Sequence, residues 1–133
     1  MSAALVLDAS AALRVAQGSA DGRAALDAAD EVIAPSLFAA EVANALWKYV
    51  RAGQLSADEA LGMLHDAVAA CDRLEPIDSA AAAAALQAAG DGPHPIYDWL
   101  YLNLARDRGA TLVTADTRLA ALARSKAVNV AQV

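Results

Sequence analysis

A single cysteine, Cys71, occurs in the sequence, so the chain cannot form an internal disulfide. A reducing, cytoplasmic location is therefore expected. The sequence also lacks any run of about 18 strongly apolar residues, which predicts that no segment spans a membrane. The opening stretch MSAALVLDAS has no basic segment and reaches an aspartate after a few apolar residues, so we expect no secretory signal.

Histidine and positive charge are also scarce. The two histidines, His65 and His94, show no metal-ligand spacing and Cys71 has no partner cysteine, which disfavours a zinc site. Ten Lys and Arg residues face sixteen Asp and Glu residues, for a net charge of -6. This balance argues against nucleic acid as a partner unless positive charge is supplied locally. Glycine-rich phosphate-binding motifs are absent, which disfavours the common nucleotide-binding folds.

Short apolar runs alternate with helical patterns along the chain. Strands are predicted over residues 3–7, 31–35, 73–77, 110–114 and 127–132, and helical patterns separate them. Because these strands lie too far apart for hairpins, we expect a short, mainly parallel sheet flanked by helices, an α/β fold. The length of 133 residues predicts one domain over 1–133.

The helices between residues 36 and 72 carry clear local signals. Ser36 is predicted to cap the first of them, and Ser56 with Glu59 forms a capping-box pattern that opens the second. The first helix is predicted from apolar residues that recur near the 3.6-residue period: Leu37, Ala40, Ala43, Leu46, Trp47 and Val50.

Asp8 and Asp116 each follow a predicted strand and precede a predicted helix. In an open parallel sheet this junction is the carboxyl end of a strand, where ligands bind. Aspartate is also one of the best residues for capping a helix, so either residue alone is explained as a cap.

Asp98 and Glu41 stand on helices that have few other polar residues. Asp98 lies among large apolar side chains in the segment HPIYDWLYLNLA, where a partly buried carboxylate needs a partner. Its place in the first turn of a helix offers an alternative, because the helix dipole favours an anion there. Glu41 is explained equally well as an exposed helix residue. Four such acids with no obvious basic partner predict a site for a hard divalent cation such as Mg²⁺ or Mn²⁺.

Four stretches, taken in chain order, resemble the PIN-domain ribonucleases: LVLDASAAL, AAEVANAL, HPIYDWLYLNLA and LVTADTRLA. Chain length and spacing are most similar to the VapC toxins of bacterial toxin-antitoxin pairs. The resemblance spans nearly the whole chain and implies a three-layer α/β/α fold. It also implies a homodimer, an RNA substrate, and a VapB-like antitoxin whose C-terminal segment covers the acidic groove. We expect this segment to bind on the helix from Ser36 to Arg51 and on the helix that begins after Ser56.

The resemblance places the family's acidic, metal-binding site on Asp8, Glu41, Asp98 and Asp116. It implies that water held by one or two metal ions attacks the phosphodiester, leaving 5′-phosphate and 3′-hydroxyl ends. Residues expected to orient the carboxylates or water are Ser10, Asn44 and Thr114. Residues expected to contact flanking phosphates are Arg14, Lys48 and Arg118, although each is equally well a solvated surface charge.

Some roles stay open. The aromatic side chains of Trp47, Trp99, Tyr97 and Tyr101 could stack on bases, but their spacing favours packing in a core or a dimer for most of them. His94, expected in a loop, is a minor candidate for substrate contact. The alternative function is a catalytically inactive PIN-like module that binds a partner protein. Receiver and dehalogenase-like phosphatase folds fit less well, because Asp8 has neither an adjacent acid nor a second aspartate two residues later.

Overall fold

The computed structural model describes residues 3–133, in which short strands alternate with helices. The strands of this range are β1 (Ala4–Leu7), β2 (Glu31–Pro35), β3 (Arg73–Glu75), β4 (Thr111–Thr114) and β5 (Val130–Gln132). Its helices are α1 (Ala9–Ala16), α2 (Ala20–Ala28), α3 (Leu37–Arg51), α4 (Ala57–Ala69), α5 (Ser79–Ala89), α6 (Ile96–Arg108) and α7 (Thr117–Ser125). None of the helices in these residues is long and apolar enough to cross a membrane.

The strands form one sheet in the order β3-β2-β1-β4-β5, and every pair of neighbours is parallel. The chain starts at β1, moves outward to β2 and β3, and then returns to the other side of β1 through β4. Strand order therefore reverses between β1 and β4, where Val6 pairs with Leu112. A crevice opens outside the carboxyl ends of the strands at such a point, and it is the usual ligand site of open parallel sheets.

Alternate side chains of each strand point to opposite faces of the sheet. Both faces carry apolar side chains, and helices cover both of them. Val6 and Leu112 face a cluster that includes Leu102 of α6, while Leu7 faces a second cluster that includes Phe38 of α3. All five side chains are fully buried. The predicted three-layer α/β/α architecture is confirmed, and a single domain over 1–133 stays a prediction.

Helix ends follow the local sequence closely. The capping box of α4 is present, with Ser56 Oγ accepting from the backbone N–H of Glu59 and the Glu59 carboxylate accepting from the Ser56 N–H. Asp8, Asp78 and Asp116 accept hydrogen bonds from first-turn N–H groups of α1, α5 and α7. Such caps stabilise a helix by about 1 kcal/mol each.

The predicted helix α3 is present, but its predicted cap is wrong. The Ser36 side chain makes no capping hydrogen bond, and its backbone is already helical because the chain passes directly from β2 into the helix. The buried face consists of Phe38, Val42 and Leu46, whereas Trp47 is 51% exposed. Because α3 is rich in alanine, several of its faces are similarly apolar. The face that packs on the sheet is the one that carries Phe38, Val42 and Leu46.

Candidate active site

The structure brings the loops that follow β1 and β4 together at the strand-order reversal. The backbone N–H of Asp8 donates to the carbonyl of Val113 at 3.1 Å, which extends the β1–β4 pairing to the first acidic residue. Asp116 follows two residues after the end of β4. Both acids predicted from strand-helix junctions therefore lie at the carboxyl edge of adjacent strands.

Asp8 is a buried carboxylate, with 4% of its surface exposed. One carboxylate oxygen, Oδ1, accepts from Ser10 Oγ at 2.7 Å and from the Ala11 N–H at 2.8 Å. The other, Oδ2, accepts from the Thr114 hydroxyl. Three donors from two chain segments thus fix both oxygens, and the hydroxyls of the two residues predicted to orient carboxylates contact Asp8 directly.

Ser10 and Thr114 also tie the β4–α7 loop to Asp8. Ser10 Oγ accepts from the Ala115 N–H at 2.9 Å, and Thr114 Oγ1 accepts from the Asp116 N–H at 3.0 Å. Thr114 is fully buried. Each hydroxyl donates to Asp8 and accepts from the loop that carries Asp116, so the positions of the two acids are coupled.

Burial raises the pKa of Asp8 from 3.8 to about 6, against the lowering effect of its hydrogen bonds to Thr114, Ala11 and Ser10. The negative charge of Asp116 raises this pKa further. A carboxyl group held in this state favours either a proton or a cation as its counter-charge.

Glu41 lies in the second turn of α3 and is half-buried. Its Oε1 accepts from the Tyr101 hydroxyl at 2.6 Å, a contact between α3 and α6. Burial raises the pKa of Glu41, the Tyr101 hydrogen bond lowers it, and the charge of Asp98 raises it. Glu41 also lines an open cleft together with Leu37, Ala40, Asn44 and Tyr97.

Asp98 lies in the first turn of α6, as predicted, with 23% of its side chain exposed. The His94 ring nitrogen Nδ1 lies 3.4 Å from its Oδ2. Burial raises the pKa of Asp98, the His94 hydrogen bond lowers it, and the charge of Asp116 raises it. The positive charge of Arg118 also lowers this pKa, so Arg118 acts on the acid cluster.

Asp116 is exposed and serves as the helix cap that its sequence position predicts. Its Oδ1 accepts from the backbone N–H groups of Arg118 at 2.9 Å and Leu119 at 3.2 Å. Because both hydrogen bonds use the same oxygen, Oδ2 is left for solvent or a ligand. Capping and ligand binding are therefore compatible functions of this side chain.

The remaining candidate residues are less closely associated with the acids. Arg14 and Lys48 are exposed in the last turns of α1 and α3. At 1.5 Å per residue, six or seven helical positions separate them from Asp8 and Glu41 by about 10 Å along the helix axis. Asn44 is exposed in the cleft beside Glu41. Their proposed contacts with RNA or water stay predictions.

Comparison with known proteins identifies the fold. The model of the PIN domain family matches residues 5–125. The chain belongs to the PIN domain family. This PIN domain is 37% identical over 125 residues to Ribonuclease VapC3 of Pyrobaculum aerophilum, covering 87% of this chain and 92% of that protein.

Solved structures also resemble this PIN domain. PAE2754 from Pyrobaculum aerophilum matches with a TM-score of 0.71 and 25% identity over 91% of this chain and 86% of that one. VapBC-5 of Mycobacterium tuberculosis, a member of the VapBC family of toxin-antitoxin systems, matches with a TM-score of 0.61 and 25% identity over 98% and 99%. FitAcB of Neisseria gonorrhoeae shares the fold alone, with a TM-score of 0.65 and 18% identity over 95% of each chain. The predicted resemblance to PIN domains and VapC proteins is confirmed.

The four acids of the PIN domain form an electrostatically connected set. Asp116 raises the pKa of both Asp8 and Asp98, and Asp98 raises that of Glu41. In residues 3–133, however, no three His, Cys, Asp or Glu side chains are arranged closely enough to hold a metal ion as they stand. The donor set still suits a hard cation, because it offers carboxylate oxygens and each ionised oxygen accepts more than one contact.

Two residues of the site were missed or undervalued in the sequence. Tyr101, expected in a core or dimer contact, is 3% exposed and donates to Glu41. Its signal was the hydroxyl itself, since a buried tyrosine needs a hydrogen-bond partner. His94, considered a minor candidate for substrate contact, lies against Asp98, four residues along the chain, and its contact with substrate stays a prediction.

Proposed function

We propose that this PIN domain is an endoribonuclease that hydrolyses phosphodiester bonds in single-stranded or looped RNA with Mg²⁺ or Mn²⁺. The relative Ribonuclease VapC3 supports RNA as the substrate class. The proposed cation-binding and catalytic residues are Asp8, Glu41, Asp98 and Asp116. The products we expect are 5′-phosphate and 3′-hydroxyl ends.

The observation that carries this proposal is a set of four acids, two of them at the carboxyl edge of the sheet, with little positive charge beside them. The acids come from four separate segments, and the charge of Asp116 raises the pKa of Asp8 and of Asp98, while the charge of Asp98 raises that of Glu41. In the described part of the chain, the ion pairs of lysine, arginine or histidine with these acids are limited to the His94–Asp98 contact. Like charges repel, so acids that raise one another's pKa in this way favour a function that adds a cation.

The chemistry that a bound divalent cation supplies is positive charge, which activates water and stabilises the charge that develops on the phosphate. The protein's own groups hold the carboxylates in place. Ser10 and Thr114 fix Asp8, and Tyr101 fixes one oxygen of Glu41. These hydrogen bonds exist before substrate binds, so both oxygens of Asp8 and one oxygen of Glu41 are oriented in advance.

Cleavage of a labelled RNA panel, with Mg²⁺, with Mn²⁺ and with EDTA, tests the proposal. We expect cleavage in either metal, loss of cleavage in EDTA, and a loss of several orders of magnitude in Asp98→Asn, comparable to the loss of a principal catalytic group. Asp107→Asn is a matched control, because Asp107 is an exposed acid near the other end of α6. It should cleave like the wild type.

Equal cleavage by Asp98→Asn and the wild type would refute the assignment. Absence of cleavage by the wild type on the whole panel would favour an inactive module that binds a partner protein. Circular dichroism of each variant separates loss of chemistry from loss of fold.

We further propose that the protein is the toxin of a toxin-antitoxin pair in the cytoplasm, that it forms a homodimer, and that it binds a VapB-like antitoxin. The VapBC-5 match supports this role. An apolar groove between α3 and α4 supports the predicted position of the antitoxin segment on these helices. Trp47 and Leu61, both about half exposed, line the groove.

A further inference from the structure

The cleft beside Glu41 has a volume of about 350 Å³ and opens to solvent between the first turns of α3 and α6. Leu37 and Ala40 supply its apolar lining, Glu41 and Asn44 supply polar groups, and Tyr97 supplies an aromatic ring. Glu41 belongs both to this cleft and to the acid cluster. A molecule in the cleft is therefore adjacent to the proposed reaction centre.

Tyr97 is 56% exposed, although it lies on the same helix as the buried Trp99 and Tyr101. It directly precedes Asp98 in the chain. Solvent exposure of a ring at this position leaves a flat π surface available at the edge of the site. Such surfaces stack on bases without regard to base identity.

Asn44 lies one turn after Glu41 on α3 and is exposed at the same cleft. Between residues 3 and 133 its side-chain amide has no hydrogen-bond partner in the protein. The amide retains two donors and one acceptor group. These match the polar edge of a nucleobase, as asparagine does in base recognition.

We propose that Tyr97 and Asn44 form a subsite for one unpaired nucleobase next to the scissile phosphate, in which the ring stacks on the base and the amide bonds to its edge. This inference rests on the proposed ribonuclease function and adds a determinant of sequence preference. A nucleobase presents a flat face and a polar edge, and the cleft offers a partner for each. The groove between α3 and α4 is lined by apolar residues alone and better suits a protein.

Steady-state cleavage of a single-stranded RNA that the wild type cuts tests the stacking. Loss of one base–aromatic stack is worth about 1–3 kcal/mol, so Tyr97→Ala should raise KM by about 5- to 150-fold. Tyr97→Phe keeps the ring and should stay within about twofold of the wild type. Leu86→Ala, which removes a large exposed apolar side chain from α5, is the control and should leave KM unchanged.

Abasic substitutions at single positions of the same RNA identify the contacted base. Removal of that base should weaken binding to the wild type and have little further effect on Tyr97→Ala, whereas other positions should affect both proteins equally. Asn44→Ala should reduce the preference among the four bases at that one position. Fluorescence anisotropy in Ca²⁺ measures binding separately from cleavage.

If Tyr97→Ala has the same KM as the wild type and responds to each abasic substitution as the wild type does, the proposed subsite is wrong. The ribonuclease function would still stand. A change in oligomeric state with unchanged KM would assign the ring to contact with a second copy of the chain, and would overturn the subsite too. If the wild type cleaves no RNA, the proposed function fails. In that case, the subsite is also wrong if fluorescence anisotropy shows the same RNA binding for Tyr97→Ala and the wild type.

Discussion

Replacement of Asp8 by asparagine should stabilise the fold while abolishing cleavage. Asp8 is almost fully buried, and its ionised form loses the solvation that water provides. An amide has nearly the same shape and carries no charge. Its oxygen keeps the hydrogen bonds from Ser10 and Ala11, and its NH₂ group donates to the Thr114 hydroxyl, which then turns its own proton toward Ser10 Oγ, 3.3 Å away.

The size of the effect follows from the shift of the Asp8 pKa from 3.8 to about 6. At 1.36 kcal/mol per unit, the ionised side chain lowers the free energy of unfolding by about 3 kcal/mol. Because the folded-state pKa lies above the unfolded-state value, stability is present at low pH and is lost as the pH rises through about 6. The advantage of Asp8→Asn should therefore be about 3 kcal/mol near pH 7.5 and about half of that near pH 5.

Urea unfolding in EDTA, followed by tryptophan fluorescence at both pH values, measures this difference, since Trp99 is buried and its emission reports on the core. Asp78→Asn provides the control, because Asp78 is exposed and asparagine caps a helix as well as aspartate does. Its free energy of unfolding should change by less than about 0.5 kcal/mol. An Asp8→Asn variant that is no more stable than the wild type near pH 7.5, or whose advantage does not shrink toward pH 5, would refute the reasoning.

Two other contacts give measurable expectations. Tyr101→Phe removes the hydroxyl that donates to Glu41 and keeps the ring, so Mn²⁺ affinity measured by electron paramagnetic resonance should weaken by about 10- to 100-fold. Tyr97→Phe should leave Mn²⁺ affinity unchanged, and equal affinities for all three proteins would show that Tyr101 does not position Glu41. Ser56→Ala breaks the capping box of α4 and should lower the free energy of unfolding by about 1 kcal/mol, whereas an unchanged urea midpoint would show that this helix end is not held by its cap.

The sequence predicted much of the site because its acids occupy positions with strong local meaning. Asp8 and Asp116 each end a strand and begin a helix, and that junction lies at the carboxyl edge of any parallel sheet. Asp98 was conspicuous among large apolar side chains in a first helical turn. The order of these segments supplied the family resemblance, which the match over residues 5–125 confirms.

Contacts between distant segments were not accessible in the same way. The Tyr101–Glu41 hydrogen bond joins residues sixty positions apart, and the ring could equally have packed in a core without it. Periodicity also left open which face of α3 packs on the sheet, since alanine is almost neutral between burial and exposure. The direction in which Trp47 points was settled by packing rather than by periodicity.

By itself the sequence determined the order of strands and helices and most of the helix caps, and it singled out four acids as candidates, because these depend on neighbours a few residues apart. Only the tertiary structure decided that Asp8 is buried with its pKa near 6, that Ser10 and Thr114 hold it from two loops, and that Tyr97 faces a cleft. The reason is physical: solvation and charge interactions depend on every group within several ångströms. Those groups come from segments that folding, and not chain order, brings together.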